Sequence, residues 1–346
     1  MKFQININPA DSTKAKIYVD GSKDNNYNED LDIELSHWIP NSTPFKYKAG
    51  TSTEICMKFC QKNLNKLNSY DIVINNHLDV DGILSIYTIM HPEKALKHKT
   101  MIEQASHMGD FWAHGLDDAQ NLFLAITEYY QERLSRNEDI NIIYKNSFEI
   151  ISKILEGNYS LSQKVLQAKE ILLHSDRLLL GKDCTIQVHG KILVSIQVSK
   201  ELHSKFPNQL ESHAKFNEFI TDRLVIWPQS VNKHFNQKIK LLIVSTTQGF
   251  LYDLYYPSYM WADTVNLWVA PDIKQALHAV EMLQKMEKNP GTWYLNDNLW
   301  PFSSKQINKV FPIVLSFVDS NFNNISSSLT PSIVRETLEN YWINNL

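Results

Sequence analysis

The first third of the chain alternates short apolar runs with longer ones of helical period. The run KAKIYVD ends in a polar tip at Asp20-Gly21-Ser22, and a second β-prone run over residues 32–36 ends at His37-Trp38. Thr51-Ser52-Thr53-Glu54 opens a helix through Leu67, with Thr51 or Ser52 as its N-cap. Tyr70 to Ile74 (YDIVI) reads as a short buried strand, and ILSIYTIM after Gly82 as an apolar helix. Strand, strand, helix, strand, helix predicts an α/β domain with a mainly parallel sheet. If the three strands are parallel neighbours, their carboxyl ends form one rim, where open α/β sheets place their ligands.

The pattern then changes twice. From Glu93 to Leu180 it is helical, broken near His114-Gly115, Ser135-Arg136-Asn137 and Gly157-Asn158, which predicts a helical layer or cap. From Lys182 onward β-prone runs return as CTIQV, KILVSIQV, RLVIW, KLLIVS and FLYDLYY. Turns such as His189-Gly190 and Gln248-Gly249 fit antiparallel hairpins between them. A helix follows from Asp272 to Lys288, capped at Pro271-Asp272 and ended by Asn289-Pro290-Gly291. The expected fold class is α/β: a mainly parallel sheet domain with a helical layer over residues 1–181, then an α+β domain with antiparallel strands over 182–346.

Chemistry concentrates where the YDIVI strand turns into the next helix. His77, Asp79 and Asp81 alternate there, and in extended backbone side chains at i, i+2 and i+4 share a face, so the three can converge on one cation. The alternative is that Asp79 or Asp81 caps the following helix. A calcium loop would need a bidentate Glu at its twelfth position, where Thr88 stands. His107, Asp110 and His114 are spaced to share one side of a helix, although Gly109 inside the run allows that helix to end near Met108. His37, after a strand and before Trp38, has the intrinsic pKa of a general acid or base. Asn76 suits bracing of the backbone, and Asp20 suits holding a histidine in its metal-binding tautomer. Tyr252, Tyr255, Tyr256, Tyr259 and Trp261 either pack a core or stack a base, and packing is the commoner use of aromatics in strands.

The segment His77-x-Asp79-x-Asp81-Gly82-x-x-Ser85 after an apolar strand resembles the first motif of the DHH phosphoesterase superfamily. The resemblance implies His77, Asp79 and Asp81 as ligands of a divalent metal, with Asp110, in Gly109-Asp110-Phe111, as the acidic residue of a second motif. The chain departs from that pattern in having no Asp-His-His triplet and no Gly-Gly-Gly-His segment. On a larger scale, Val19-Asp20-Gly21-Ser22, Leu35-Ser36-His37-Trp38-Ile39-Pro40, Thr51-Ser52-Thr53-Glu54-Ile55, Asn75 to Gly82 and Gly109-Asp110-Phe111 occur in an order similar to that of an uncharacterised bacterial family of unknown function.

Composition narrows the function classes. The 346 residues can bury a large core, and 43% hydrophobic with 21% charged residues is the balance of a folded globular protein. A net charge of −4 gives no global attraction to duplex nucleic acid. No stretch approaches the roughly 20 apolar residues of a membrane span, so the expectation is a cytoplasmic protein without membrane partners. Cys56 and Cys60 lack nearby thiol or imidazole partners and read as core residues. No P-loop, dinucleotide-binding glycine motif or nucleophile elbow is present. The expected function is a metal-dependent hydrolase of a small polar or phosphorylated substrate. Its metal ligands would be His77, Asp79, Asp81 and Asp110, and its catalytic residues His37 and Asp110. Carboxylates plus imidazole suit Mn²⁺ or Mg²⁺, with Zn²⁺ or Fe²⁺ as alternatives. A metalloenzyme of another reaction class and a non-catalytic interaction protein remain the rival readings.

Overall fold

The structure, a computed structural model, describes residues 1–5, 13–205, 217–257, 259, 262–263, 273–296 and 313–343. The fold is α/β and its chain divides into two compact units. The first comprises residues 1–170 together with the short segments around Asn217 and Asp263.

In the first unit, strands β1 (Lys2–Ile5), β2 (Lys16–Val19), β3 (Ile33–Leu35) and β4 (Ile72–Asn75) form a fully parallel sheet in the order β1-β4-β2-β3. Ile17, Val19 and Val73 are buried, as are Tyr18, Ile72 and Ile74 at the alternate positions, so β2 and β4 are apolar on both faces. Tyr27 packs against the cluster of Tyr18, Ile72 and Ile74. Helix α1 (Ser52–Asn63) packs on β3, α2 (Val80–Met90) on β2 and β4, and α6 (Ile140–Leu155) on β1. Helices α3 (Pro92–Lys97), α4 (Lys99–Asp110) and α5 (Asp117–Ser135) complete the helical layer. Residues 80–89 of α2 are all buried, as expected of a helix apolar on every side.

The expected start of α1 is realised as a full capping box: the Thr51 side chain accepts from Glu54 N, and the Glu54 carboxylate accepts from Thr51 N. The helix ends at Asn63 and passes into a 3₁₀ turn over Leu64–Ser69 rather than continuing to Leu67. Helix α4 runs through Gly109 and ends at Asp110 instead of Met108. A Cβ on Gly109 would lie 2.2 Å from Asn217 Oδ1, so glycine is kept there by close approach of a distant segment, not by a helix end.

Helix α7 (Gln163–Leu179) carries the chain into the second unit. There β5 (Cys184–His189), β6 (Leu193–Val198), β7 (Ile239–Ser245), β8 (Phe250–Tyr255), β9 (Thr292–Leu295) and β10 (Ile313–Val318) form one mixed sheet, ordered β5-β6-β7-β8-β10-β9. The hairpins expected at His189-Gly190 and Gln248-Gly249 are present and antiparallel. The β6–β7 pair is parallel instead, because α8 (Lys200–Ser204) and α9 (Pro228–Phe235) lie in the connection and return the chain to the same end of the sheet. RLVIW is not a strand. Leu224, Ile226 and Trp227 are buried in an irregular segment that ends where Pro228 starts α9, and Trp227 Nε1 donates to Thr221 O. Strands β1, β9 and β10 go beyond the sequence expectation.

Helix α10 spans Ile273–Met286, and Pro271-Asp272 lie outside the described residues. Alternate residues of β7 serve the two faces. Leu241 and Ile243 join Ala276, Ala279 and Leu283 of α10 and Val334 and Leu338 of α11 (Pro331–Leu338), whereas Leu242 joins Leu179, Leu202 and Val231. Tyr252, Tyr255 and Tyr256 are buried in these cores, so the aromatic run packs; Trp261 lies outside the described residues. Among the described residues no helix is long and apolar enough to cross a membrane.

Lys240, fully buried in β7, has its pKa pushed down to about 7 by loss of solvation. The unfolded chain therefore binds the proton that the folded chain releases between about pH 7 and pH 10, so Lys240 by itself contributes stability that rises with pH across that interval. Lys240→Met is expected to raise stability at pH 7 by more than about 1 kcal/mol and to flatten the alkaline rise, read from urea melts over that range. An unchanged pH slope in the variant would contradict this account.

Candidate metal centre at the strand ends

Three neighbouring parallel strands end together, and each delivers a polar residue to the same rim: Asp20 after β2, His37 after β3 and His77 after β4. Because β2 lies between β4 and β3, Asp20 falls between the two imidazoles. Its Oδ1 is 3.6 Å from His37 Nε2 and its Oδ2 is 3.1 Å from His77 Nε2. Asp20 itself has φ 44° and Gly21 φ 121°, so the chain leaves β2 through two left-handed residues. A Cβ at Gly21 would meet Asn76 Oδ1 at 2.4 Å, which only glycine avoids.

Two groups of ligand-type atoms result, sharing Asp20. The inner one is Asp20, His37, Asp81 and Asp110, with His37 Nε2 3.8 Å from Asp81 Oδ2 and 3.5 Å from Asp110 Oδ2. These separations exceed hydrogen-bond range. They are close to the spacing of about 3.0–3.4 Å between neighbouring ligand atoms that surround a small cation at 2.0–2.2 Å. The outer group is Asp20, His77 and Asp79, with His77 Nε2 3.1 Å from Asp79 Oδ2. The side chains of Asp20, His37 and Asp81 are 0% exposed and that of Asp110 4%, against 27% for His77 and 18% for Asp79. The inner group is sealed and the outer one faces solvent. Among the described residues, no Lys or Arg forms an ion pair with any of the four carboxylates.

Both imidazoles are oriented by a hydrogen bond from Nδ1. His37 Nδ1 lies 2.8 Å from Gly50 O and His77 Nδ1 lies 2.9 Å from Asn76 Oδ1, and since each oxygen can only accept, each Nδ1 carries the hydrogen. Each Nε2 is thereby the nitrogen that faces the carboxylates, and it is the one through which the imidazole would ligate a cation once it carries no proton. The carboxylates are braced as well. Asp81 accepts from Ser52 N at 2.8 Å and Thr53 N at 2.9 Å, so it sits on the N-terminus of α1. Asp20 Oδ1 accepts from Ser52 Oγ and Trp38 Nε1, and Asp110 Oδ1 from Asn217 Nδ2. Asn217, at φ 54°, also accepts from Val80 N through its side chain and from Tyr130 OH through its carbonyl.

The residues expected at the site are thus brought together, with one correction of geometry. His77, Asp79 and Asp81 do not converge on one position, because β4 ends at Asn75 and the extended alternation ends with it. Asp81 already lies in the first turn of α2 and belongs to the inner group. Asp79 fulfils both of its readings: Oδ1 caps α2 by accepting from Gly82 N, and Oδ2 faces His77. Gly82 is required there, since a Cβ would stand 2.1 Å from Asn75 Nδ2. His107 pairs with Glu54, and His114 is in neither group. Asp20, whose expected role was to orient a histidine, instead stands inside both groups. Glu54 was read only as part of the start of α1, and Asn217 was not singled out, since nothing local in the sequence marks it.

One rival arrangement is present in the second unit. Ser195 Oγ lies 2.9 Å from His189 Nε2, and His189 Nδ1 lies 3.4 Å from Glu339 Oε1, the order of a nucleophile, base and acid. Ser195 is 2% exposed in the middle of β6, which leaves a substrate carbonyl no approach.

The model of a Family of unknown function (DUF6687) matches residues 7–301. The chain belongs to that family. The match spans every residue of both ligand groups of this DUF6687 protein and brings no activity with it. No curated protein and no solved structure matches the chain.

The electrostatics of the DUF6687 centre are unequal. Burial raises the pKa of Asp81 and Asp110 well above the ordinary carboxylate range, and their neighbouring carboxylates raise it further. Asp79 is raised for the same two reasons. Burial acts on Asp20 in the same sense, but His77 and His37 outweigh it and hold Asp20 below the ordinary range. Burial depresses His37, whereas at His77 Asp79 and Asp20 overcome burial and hold the imidazole well above its ordinary 6.5. A raised folded pKa means that the folded state keeps protons the unfolded chain has released, so Asp81, Asp110 and His77 all favour folding at lower pH. His37, with the opposite shift, opposes them only below 6.5. In a Lys240→Met background, which removes the opposing contribution of Lys240, the metal-free protein should therefore melt at a higher temperature as pH falls toward about 6.5 from the alkaline side, and His77→Gln should flatten that slope. Saturating Mn²⁺ should reverse it, because ligation requires deprotonated side chains. Melting temperatures of the chelated Lys240→Met protein that fall as pH falls over this window would refute the assignment of the shifts.

Proposed function

We propose that this protein is a metal-dependent hydrolase in which two groups of residues that share Asp20 would hold divalent cations. The observation that carries the reading is the placement of one buried carboxylate between two imidazoles, each with its Nε2 turned toward further carboxylates. The inner position would be ligated by Asp20, His37, Asp81 and Asp110, and the outer by Asp20, His77 and Asp79. The donor set of carboxylates with one imidazole per position suits Mn²⁺ or Mg²⁺. Bound there, a divalent cation would supply Lewis-acid polarisation of a substrate oxygen and a lowered pKa for bound water.

In this reading His37 is a ligand and not a proton donor, since its side chain is fully buried among carboxylates. The half-exposed pair of His77 and Asp79 forms the side from which substrate arrives. A phosphoester is the substrate class best supported, on the resemblance of His77-x-Asp79-x-Asp81-Gly82-x-x-Ser85 to the DHH motif.

After reconstitution with Mn²⁺, elemental analysis is expected to find about two cations per chain. His77→Ala should lose one and Asp20→Asn should lose or weaken both. Manganese-dependent cleavage of a phosphomonoester or phosphodiester should disappear in His77→Ala while the melting temperature stays within a few degrees, because a half-exposed rim residue contributes little to the core. Bound metal without cleavage across nucleotides, oligonucleotides and small phosphoesters would move the protein to a different metalloenzyme class. Absence of metal in the reconstituted wild type would overturn the reading altogether.

A further inference from the structure

The segment Gly50–Glu54 touches three of the inner residues at once. Gly50 O receives His37 Nδ1–H, Ser52 Oγ donates to Asp20 and accepts from His37 N, and the amides of Ser52 and Thr53 hold Asp81. Thr51 Oγ1 meets Ser106 Oγ and Thr53 Oγ1 donates to Asp81 O, while the two amides at the start of the segment converge on a single carboxylate oxygen. Glu54 Oε2 accepts from Gly50 N at 2.7 Å and Thr51 N at 3.2 Å, and it faces His107 Nε2 at 3.2 Å. His107 is the main reason that the Glu54 carboxyl lies down at about 2 despite burial, which keeps it ionised.

We propose that Glu54, steadied by His107, is the positioning residue of the inner cation site. The inference rests on the metal reading above and adds a residue to it. Thr51 N–H and Gly50 C=O belong to one planar trans peptide, so they point in opposite directions. Holding the N–H on Glu54 aims the carbonyl at His37 and sets its tautomer. A Cβ on Gly50 would stand 2.8 Å from Glu54 Oε2 and 2.9 Å from His107 Cε1, so the close approach of these groups to the peptide requires glycine. A capping box needs only the Thr51 and Glu54 contacts. The added bond to Gly50 N and the His107 pairing tie the box to the histidine behind it.

The test uses the full chain. The ring tautomer of His37 is read by ¹⁵N NMR in metal-free protein, and Mn²⁺ affinity by calorimetry. Glu54→Ala is expected to lose the dominance of the Nδ1–H form and to weaken the inner cation by about tenfold to a hundredfold, leaving the outer one within about twofold. Glu54→Asp keeps an acidic first turn, and so the helix, but its shorter reach should reproduce both effects. Glu54→Gln, which still offers an accepting oxygen, should restore the tautomer. Asp139→Ala, which removes the N-cap of α6, serves as a control for lost stability and should leave the tautomer unchanged. A folded Glu54→Asp protein with wild-type His37 tautomer and wild-type inner affinity would overturn the proposal. A wild type that binds no Mn²⁺ would overturn the metal reading instead, while the tautomer arm would still decide the role of Glu54.

Discussion

The carboxylate of Asp20 is taken wholly out of water at the end of the central part of a parallel sheet, and the groups around it keep it ionised there. Trp38 Nε1 and Ser52 Oγ donate to one oxygen, and His77 faces the other. A buried charge left unpaired costs many kcal/mol, so such a residue is retained only where partners compensate it. In the metal-free protein the proton on His77 supplies that compensation. A cation would supply it more fully, because Asp79, Asp81 and Asp110 add three more carboxylates with no Lys or Arg among the described residues to balance them.

The same constraint explains why the local backbone is strained and glycine-rich. Asp20, Trp112 and Asn217 have positive φ, and Gly21, Gly50, Gly82 and Gly109 each stand where a Cβ would collide with a side chain of the centre or of its supports. Strain and close approach of this kind persist only where the surroundings over-determine them, and they cluster at functional sites. The core of the first unit provides the over-determination: α2 is buried along its length, and α1 meets it with its N-terminus on Asp81. The helix end and the acid stabilise each other. Hydrogen bonds from the α1 N-terminus favour the charged form of Asp81, and the charge in turn satisfies amides that would otherwise lack acceptors.

The two ligand groups also differ in what the fold asks of them. Asp81 and Asp110 are parts of helices, and all four side chains of the inner group are buried. His77 and Asp79 sit on the short turn between β4 and α2, partly in solvent, with Tyr144 OH donating to the His77 carbonyl as an anchor from α6. On the proposed metal reading, the buried half would hold its cation away from solvent and the accessible half would be the one that substrate reaches.

Much of this was legible in the sequence, because its cause is local. YDIVI followed by His77, two aspartates and Gly82 marks a strand-to-helix turn with ligand-type side chains, Thr51 and Glu54 mark a helix start, and the polar tips after β2 and β3 mark strand ends. The second sheet was legible only as strands. Its parallel β6–β7 pair depends on the helices between them, and RLVIW is apolar for burial and not for pairing. What tertiary structure alone decided is which of these residues meet. The order β1-β4-β2-β3 puts Asp20 between His37 and His77, although 17 and 57 residues separate it from them along the chain. The end of β4 at Asn75 sends Asp81 to a different group from His77. Asn217 reaches Asp110 across 107 positions. Strand order and the return of a distant segment are set by how the whole core packs, and no local pattern of hydrophobic and polar residues encodes them.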